Sequence, residues 1–424
     1  MNNTSRLNNF ITLFISLLIC SFHSVQASNI GPDLAIINAR LIGDSGDLQS
    51  GMSILISSGK IVQVTKQVSS PNAVSVIDAN NRIVLPGFID SHLHLIAHLD
   101  VDNNQSLAEQ IKTEVVPKLQ DYLRHGVTTI KSTADPVDGI LELREQLRSG
   151  HYAGPRLLVA GKEIAAKDAH PGKTLFENAP WLRDQIVSEV RSPEEARQAV
   201  RELAERDVDA IKIIYSGNEE GDDSYRLMNL AIPRLSVNVL KAVVDEAHHH
   251  KIRVTAHTVQ MEEAIAAANA GVNGLEHGVV MEPVTQQFLD IMLKNKVAYV
   301  PTLRVVNYFL NDVPAQVPLD NLRKIAAAGI MVVLGTDSEG NDLPWGDAVL
   351  DEAELMVSAG MTPLQVIRAM TVNAAHHLGV DNETGTIAVN KQADIVIVDG
   401  EPLNNISDLR NVWLVLKNGQ VMFE

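Results

Sequence analysis

Between residues 86 and 340 the chain repeats one rhythm: a short apolar run that reads as a strand, then an amphipathic stretch that reads as a helix. Such alternation makes neighbouring strands parallel, because each helix carries the chain back across the sheet. Eight strands can be marked, in "GFIDSHLHL", "GVTTIKST", "PRLLVAGKE", "VDAIKIIY", "IRVTAHT", "VNGLEHG", "VAYVPTL" and "MVVLGTDS". The runs between them carry helix signals. "SPEEARQAVRELAER" opens on Ser192 with Glu195 three residues on, a capping-box pattern, and "MEEAIAAANAG" stops at Gly271. Eight such units predict a (β/α)8 barrel, an α/β fold whose chemistry gathers at the C-terminal ends of the strands.

The unusual polar residues fall at those ends. In "PGFIDSHLHL" Asp90, His92 and His94 alternate, so on a strand all three project to one face. Burying them together is costly without compensating bonds. Two readings stand for this run alone: a metal held by neutral imidazoles, or a pair of satisfied core histidines. Lys212 sits inside the apolar "DAIKIIY", His257 and His277 end the fifth and sixth strands, and Asp337 ends the eighth. From His92 to Asp337 the chain runs 245 residues, against roughly 250 for a whole barrel of this kind. Ionisable residues near five strand ends, all facing one mouth, favour the metal.

The ends of the chain read differently. Residues 28–85 and 381–424 are short strand-like runs broken by turns such as "SSGK" and "KNG". They predict a small β-sandwich built from both ends around a barrel domain spanning residues 86–380. Residues 1–27 have the form of an export signal, with Arg6, an apolar run from Phe10 to Phe22, and Val25-Gln26-Ala27 before the cut. A soluble periplasmic or secreted protein is expected. Cys20, the one cysteine, lies within the signal, so the mature chain holds together by core burial. The net charge of −17 works against a nucleic-acid partner, and no segment after the signal predicts a membrane span.

On these motifs the chain resembles the amidohydrolase superfamily. The closing run from "GTDSEGNDLPW" to "ADIVIVDGEPL" is similar to its imidazolonepropionase-like and Xaa-Pro or Xaa-Arg dipeptidase branch. The resemblance implies two divalent ions, with zinc the default. His92, His94 and Asp337 would hold one, and His257 and His277 the other. Lys212 would bridge them as a carbamate formed with CO2. It implies hydrolysis by a metal-activated hydroxide, with Asp337 as general base and then acid. The implied substrate is a small molecule with an amide bond, a dipeptide or N-acyl amino acid. The same site would serve a lactone, carbamate, phosphotriester or cyclic imidazolone. A non-catalytic binding protein on the same barrel is the alternative from another class. Self-association is compatible with the family.

Other residues carry weaker signals. His170, Tyr215 and Arg304 are candidate substrate contacts, each weighed against ordinary packing or surface placement. Asp90 either orients a ligand or is a structural carboxylate. His248, His249 and His250 read as a solvated helix end, and His376 and His377 as packing. Ser132 stands where relatives commonly carry an aspartate. The segment from Gly217 to Asn229 and the loop around Trp345 also depart from the family, which leaves substrate identity open.

Overall fold

The computed structural model describes residues 32–423 apart from 44, 67, 69–71, 98, 218–223, 226–229, 310–315 and 340–344. The export segment lies outside the described residues. The N-terminal part gives five strands: β1 (Leu34–Ile42), β2 (Leu48–Ser57), β3 (Lys60–Lys66), β4 (Ser75–Asp78) and β5 (Ile83–Pro86). The "SSGK" turn joins β2 to β3, with Ser58 and Gly59 both left-handed (φ 50° and 76°). Two positive φ angles match the twist of a tight hairpin.

Parallel strands follow. β6 (Phe88–Leu93), β7 (Val127–Ser132) and β8 (Arg156–Val159) form one three-stranded sheet. A six-stranded sheet comprises β9 (Glu163–Ala166), β10 (Val187–Val190), β11 (Ala210–Ile214), β14 (Arg253–His257), β15 (Gly274–Glu276) and β16 (Ala298–Val300), in the order β10-β9-β11-β14-β15-β16. A two-residue pair, β12 (Ser224–Tyr225) and β13 (Leu230–Ala231), stands apart.

The parallel α/β character matches expectation, while three details differ. The third expected strand, "PRLLVAGKE", is split into β8 and β9 by a break that contains left-handed Gly161 (φ 68°). The added strand β10 pairs with β9. The eighth run forms only single-residue bridges, Tyr299 with Val332 and Leu93 with Ser338. Its backbone still bonds both neighbours, Val333 N–H to Tyr299 O at 2.9 Å and Asp337 N–H to His92 O at 2.8 Å. The left-handed turn at Asp337 (φ 57°) interrupts any regular ladder there.

Helix ends follow the sequence signals closely. Ser192 Oγ accepts the Glu195 N–H at 3.2 Å, but the Glu195 carboxylate reaches past it to the Arg191 N–H at 2.6 Å. The helix Met261–Ala270 ends at Gly271 as expected. Among the described residues no helix is long and apolar enough to cross a membrane.

The chain returns in β17 (Ile395–Val398), β18 (Val412–Lys417) and β19 (Gln420–Phe423). These complete an eight-stranded sheet ordered β19-β18-β17-β5-β1-β2-β3, with β4 paired to β1. Its central strands are buried on both faces, so alternate residues serve two cores. Ile83, Leu85, Val396 and Val398 join the large core around the parallel strands. Val84, Ile395 and Ile397 join a smaller core with Ile36, Ile54 and Leu416. The β2–β3 turn meets the β18–β19 turn, where a Cβ on Gly59 would lie 2.7 Å from Asn418 O. Gly59→Ala is therefore expected to destabilise by about 1–2 kcal/mol or more, through left-handed strain and this clash. Urea melts of the variant beside the wild type would measure it, and equal midpoints would count against this packing.

Candidate metal centre

The site begins with the alternation on β6. His92 Nε2 lies 2.8 Å and His94 Nε2 3.0 Å from Asp337 Oδ1. One donor atom from each of these three residues falls within 4.8 Å of the others. Asp337 reaches them because its left-handed backbone turns the carboxylate back over β6 while its N–H holds the His92 carbonyl. Asp90 makes that contact rigid. Its carboxylate accepts the Thr336 N–H at 3.0 Å and the Thr336 hydroxyl at 2.7 Å, binding β6 to the eighth segment. Burial raises the Asp90 carboxyl to about 6 despite these bonds. Asp90 thus fixes backbone and makes no bond to the imidazoles.

The second pair of histidines faces the first. The His257 and His277 rings lie 4.5 Å apart, and His277 lies 5.4 Å from His92. His277 is left-handed (φ 64°) and its Nδ1 pairs with Thr302 Oγ1 at 2.7 Å. The glycine of "EHG" is required by packing: a Cβ on Gly278 would sit 2.1 Å from the Tyr299 ring. Lys212 also borders this cavity, as does His170, whose ring is 5.0 Å from His257. Tyr215 and Arg304 do not border it. Tyr215 turns into the core beneath the Arg234 guanidinium, and Arg304 points its own towards Asp351 at 3.4 Å. His377 is buried as packing, whereas His376 is exposed, beside Asp381.

Below the histidines lies a network that the motif reading passed over. Glu276 is fully buried at the end of β15. Its Oε1 accepts from Lys131 Nζ at 2.7 Å and lies 3.1 Å from His92 Nδ1, and its Oε2 meets Lys212 Nζ. Lys131 had a signal of its own, since "GVTTIKST" puts a charge inside an apolar strand just as "DAIKIIY" does.

Electrostatics divides the cluster into anions and neutral ligands. Burial alone would raise Glu276 and Asp337. The neighbouring His92 ring and the Lys131 and Lys212 side chains hold Glu276 well below the usual carboxylate range, and the His92 and His94 rings that bond to Asp337 do the same for it. Burial lowers His277 and His170 to about 3 and His257 well below its ordinary value, so these imidazoles are neutral. His94 is the exception. Burial opposes its charge, but the hydrogen bond to Asp337 and the nearby acids raise it to about 10.

These residues fit a divalent cation. Two imidazole nitrogens and a carboxylate oxygen converge, and each remaining ring nitrogen has an oxygen close by of the kind that orients ligands. His94 Nδ1 faces Thr133 O at 2.9 Å, and His92 Nδ1 faces Glu276.

Buried acids also hold the loops around the mouth. Asp135 accepts the N–H groups of Leu95, Ile96 and Ala97, and the Ser132 hydroxyl bonds to it. Glu263 accepts those of Gly217, Val259 and Gln260, and Glu352 those of Leu303 and Arg304.

The sequence profile of the amidohydrolase family matches residues 83–422. An imidazolonepropionase of Caldanaerobacter subterraneus subsp. tengcongensis is 25% identical over 387 residues, covering 83% of this chain and 84% of that protein. The ochratoxinase of Aspergillus niger is 24% identical over 420 residues, covering 90% and 84%. Among solved structures, a Xaa-Pro dipeptidase with methionine bound in its active site superposes with a TM-score of 0.77 at 27% identity, covering 92% of this chain and 99% of that one.

Two predictions follow from the charges. Because His94 is protonated at neutral pH, uptake of an ion there releases at least one proton, and apparent affinity rises about tenfold per pH unit for each proton released. Calorimetry in buffers of differing ionisation heat measures this, and zero release would show that the His94 imidazole is already neutral before the ion arrives. Glu352 is raised by burial from 4.5 to about 8. The folded protein thus binds its proton more tightly, so its contribution is complete below pH 4.5 and is lost as pH climbs through 8. The stability of wild type minus that of Glu352→Gln should shrink across that window in urea melts. A constant difference would refute it.

Proposed function

Because the chain belongs to the amidohydrolase family, we propose that the convergence of His92, His94 and Asp337 serves metal-dependent hydrolysis of a carbon–nitrogen bond in a small substrate. The bond we favour is the amide of a dipeptide or N-acyl amino acid. The parallel strands are read as a closed (β/α)8 barrel, supported by the two bridges of the eighth segment and by the Asp209 N–H bond to Val159 O at 2.7 Å. Residues 28–85 and 381–424 form its companion β domain. Residues 1–27 are the signal that delivers the enzyme to the periplasm or the medium.

His92, His94 and Asp337 would hold one zinc ion and His257 and His277 a second, with Lys212 between them as the carbamate. When bound, the ions supply Lewis acidity and lower the pKa of a water to near neutrality. The protein's own groups do the rest. Asp337, kept ionised, takes the proton of the attacking water and returns it to the leaving nitrogen. His170, neutral at the cavity edge, offers the substrate a hydrogen bond. Val259, Val280, Val305, Val306, Leu175 and Phe176 line the wall, accept an apolar group and keep bulk water from the reacting atoms.

One observation favours a second reading. Lys212 is the only lysine or arginine among the described residues that border the cavity. No other basic side chain of that kind faces a substrate there among the described residues, so an uncharged amide or carbamate suits the wall better than a dipeptide.

The test is product release from dipeptides, N-acyl amino acids, neutral anilides and carbamates, using zinc-loaded mature protein. Asp337→Asn should lower kcat/KM by about 10²–10⁴-fold on whichever class reacts. Silence across the panel from metal-loaded protein would overturn the amide and carbamate readings and leave a lactone, phosphotriester or cyclic imidazolone as the substrate class.

A further inference from the structure

The large core holds several buried carboxylates, and nearly all are satisfied. Asp90, Asp135, Glu263 and Glu352 accept backbone N–H groups, and Glu276 and Asp337 meet cationic or imidazole nitrogens. Glu163 stands apart. It is 2% exposed and borders the same cavity as both histidine pairs, Lys212 and Asp337. Among the described residues its carboxylate has no hydrogen-bond or ion-pair partner within reach.

Its position is fixed by strand register. Glu163 opens β9 and is the direct partner of Lys212 on β11. In a parallel pair, partners in register point to the same face, so Glu163 enters the cavity at the depth of Lys212. Lys212 Nζ is already taken by Glu276 on the other side. The groups that act on Glu163 electrostatically are Lys212 first, then His94 and His92. Glu163, Lys212 and both β6 histidines thus border one cavity.

A buried carboxylate without a partner is costly, and the cost disappears when a cation lies beside it. Hydrogen bonding elsewhere does not restrain this side chain, and its length lets the oxygens swing toward the β6 histidines. We propose that Glu163 is a further metal ligand, giving a carboxylate oxygen to the ion assigned to His92, His94 and Asp337. The inference rests on that metal assignment and adds a residue to it. It also explains why "GKEI" carries an acid inside a buried strand.

The test uses Co2+ as the probe on the full mature chain, with uptake followed by equilibrium dialysis and by the visible absorption of the bound ion. Glu163→Gln keeps the shape of the side chain and removes its charge. The expected result is binding of one ion weakened by about tenfold or more, together with altered Co2+ bands. Weakened binding with unchanged bands would reduce Glu163 to a distant charge and overturn ligation. Wild-type affinity, stoichiometry and bands in the variant would overturn it outright. If Glu163→Gln does not fold, Glu163→Asp decides, since a shortened ligand shifts the bands and a distant charge leaves them in place. A wild-type protein that takes up no Co2+ would overturn the metal assignment itself, and the role of Glu163 with it.

Discussion

The carboxylate of Glu276 is the contact on which the rest of the site depends. It is fully buried and engages Lys131 on β7, Lys212 on β11 and His92 on β6. β6 and β7 belong to the three-stranded sheet, and β11 and β15 to the six-stranded one. One side chain therefore joins the two parallel sheets beneath the histidines. Such a contact is rigid because it has no cheap alternative: removing one member leaves an uncompensated buried charge, a loss of about 3–5 kcal/mol. The imidazole of His92 inherits that rigidity through its Nδ1, which leaves Nε2 aimed at Asp337.

The same principle recurs around the rim. Asp90, Asp135, Glu263 and Glu352 each hold backbone N–H groups of a neighbouring segment, so loops that would otherwise be mobile are tied from within. These bonds help sustain conformations that cost free energy by themselves. His277, Thr302 and Asp337 are all left-handed, and for a β-branched residue such as Thr302 this is unusual. Left-handed non-glycine residues cost on the order of 1–3 kcal/mol each and persist where the surroundings over-determine them. Here they aim His277 and Asp337 at a common point. The apolar wall then gives that polar floor a dry neighbourhood, in which fixed charges act more strongly than in water.

Much of this was legible in the sequence for a simple reason. The period of two on a strand places His92 and His94 on one face whatever the rest of the chain does. Charged residues inside short apolar runs, such as Lys212, have few places to go in a parallel sheet. The turns "SSGK" and "KNG" are equally local, since a tight hairpin needs left-handed residues. Lys131, Glu163 and Glu276 met the same criterion but matched no familiar motif, and a reading led by motifs passed over them. Arg304 and Tyr215 do not line the cavity, because position near a strand end does not say which way a side chain turns.

The sequence by itself determined the parallel α/β class, the strands that bear the converging histidines, and the family. These rest on short-range periodicity and on spacing along one chain. Only the tertiary structure decided the partners: that Glu276 joins Lys131 to Lys212, that Asp90 binds Thr336, and that Glu163 stands unpaired beside Lys212. It also decided that the eighth segment bridges its neighbours without becoming a regular strand. The physical reason is that a buried charge is assigned its partner by three-dimensional packing, between residues that lie up to 246 positions apart in the chain, and no local pattern encodes such a distance.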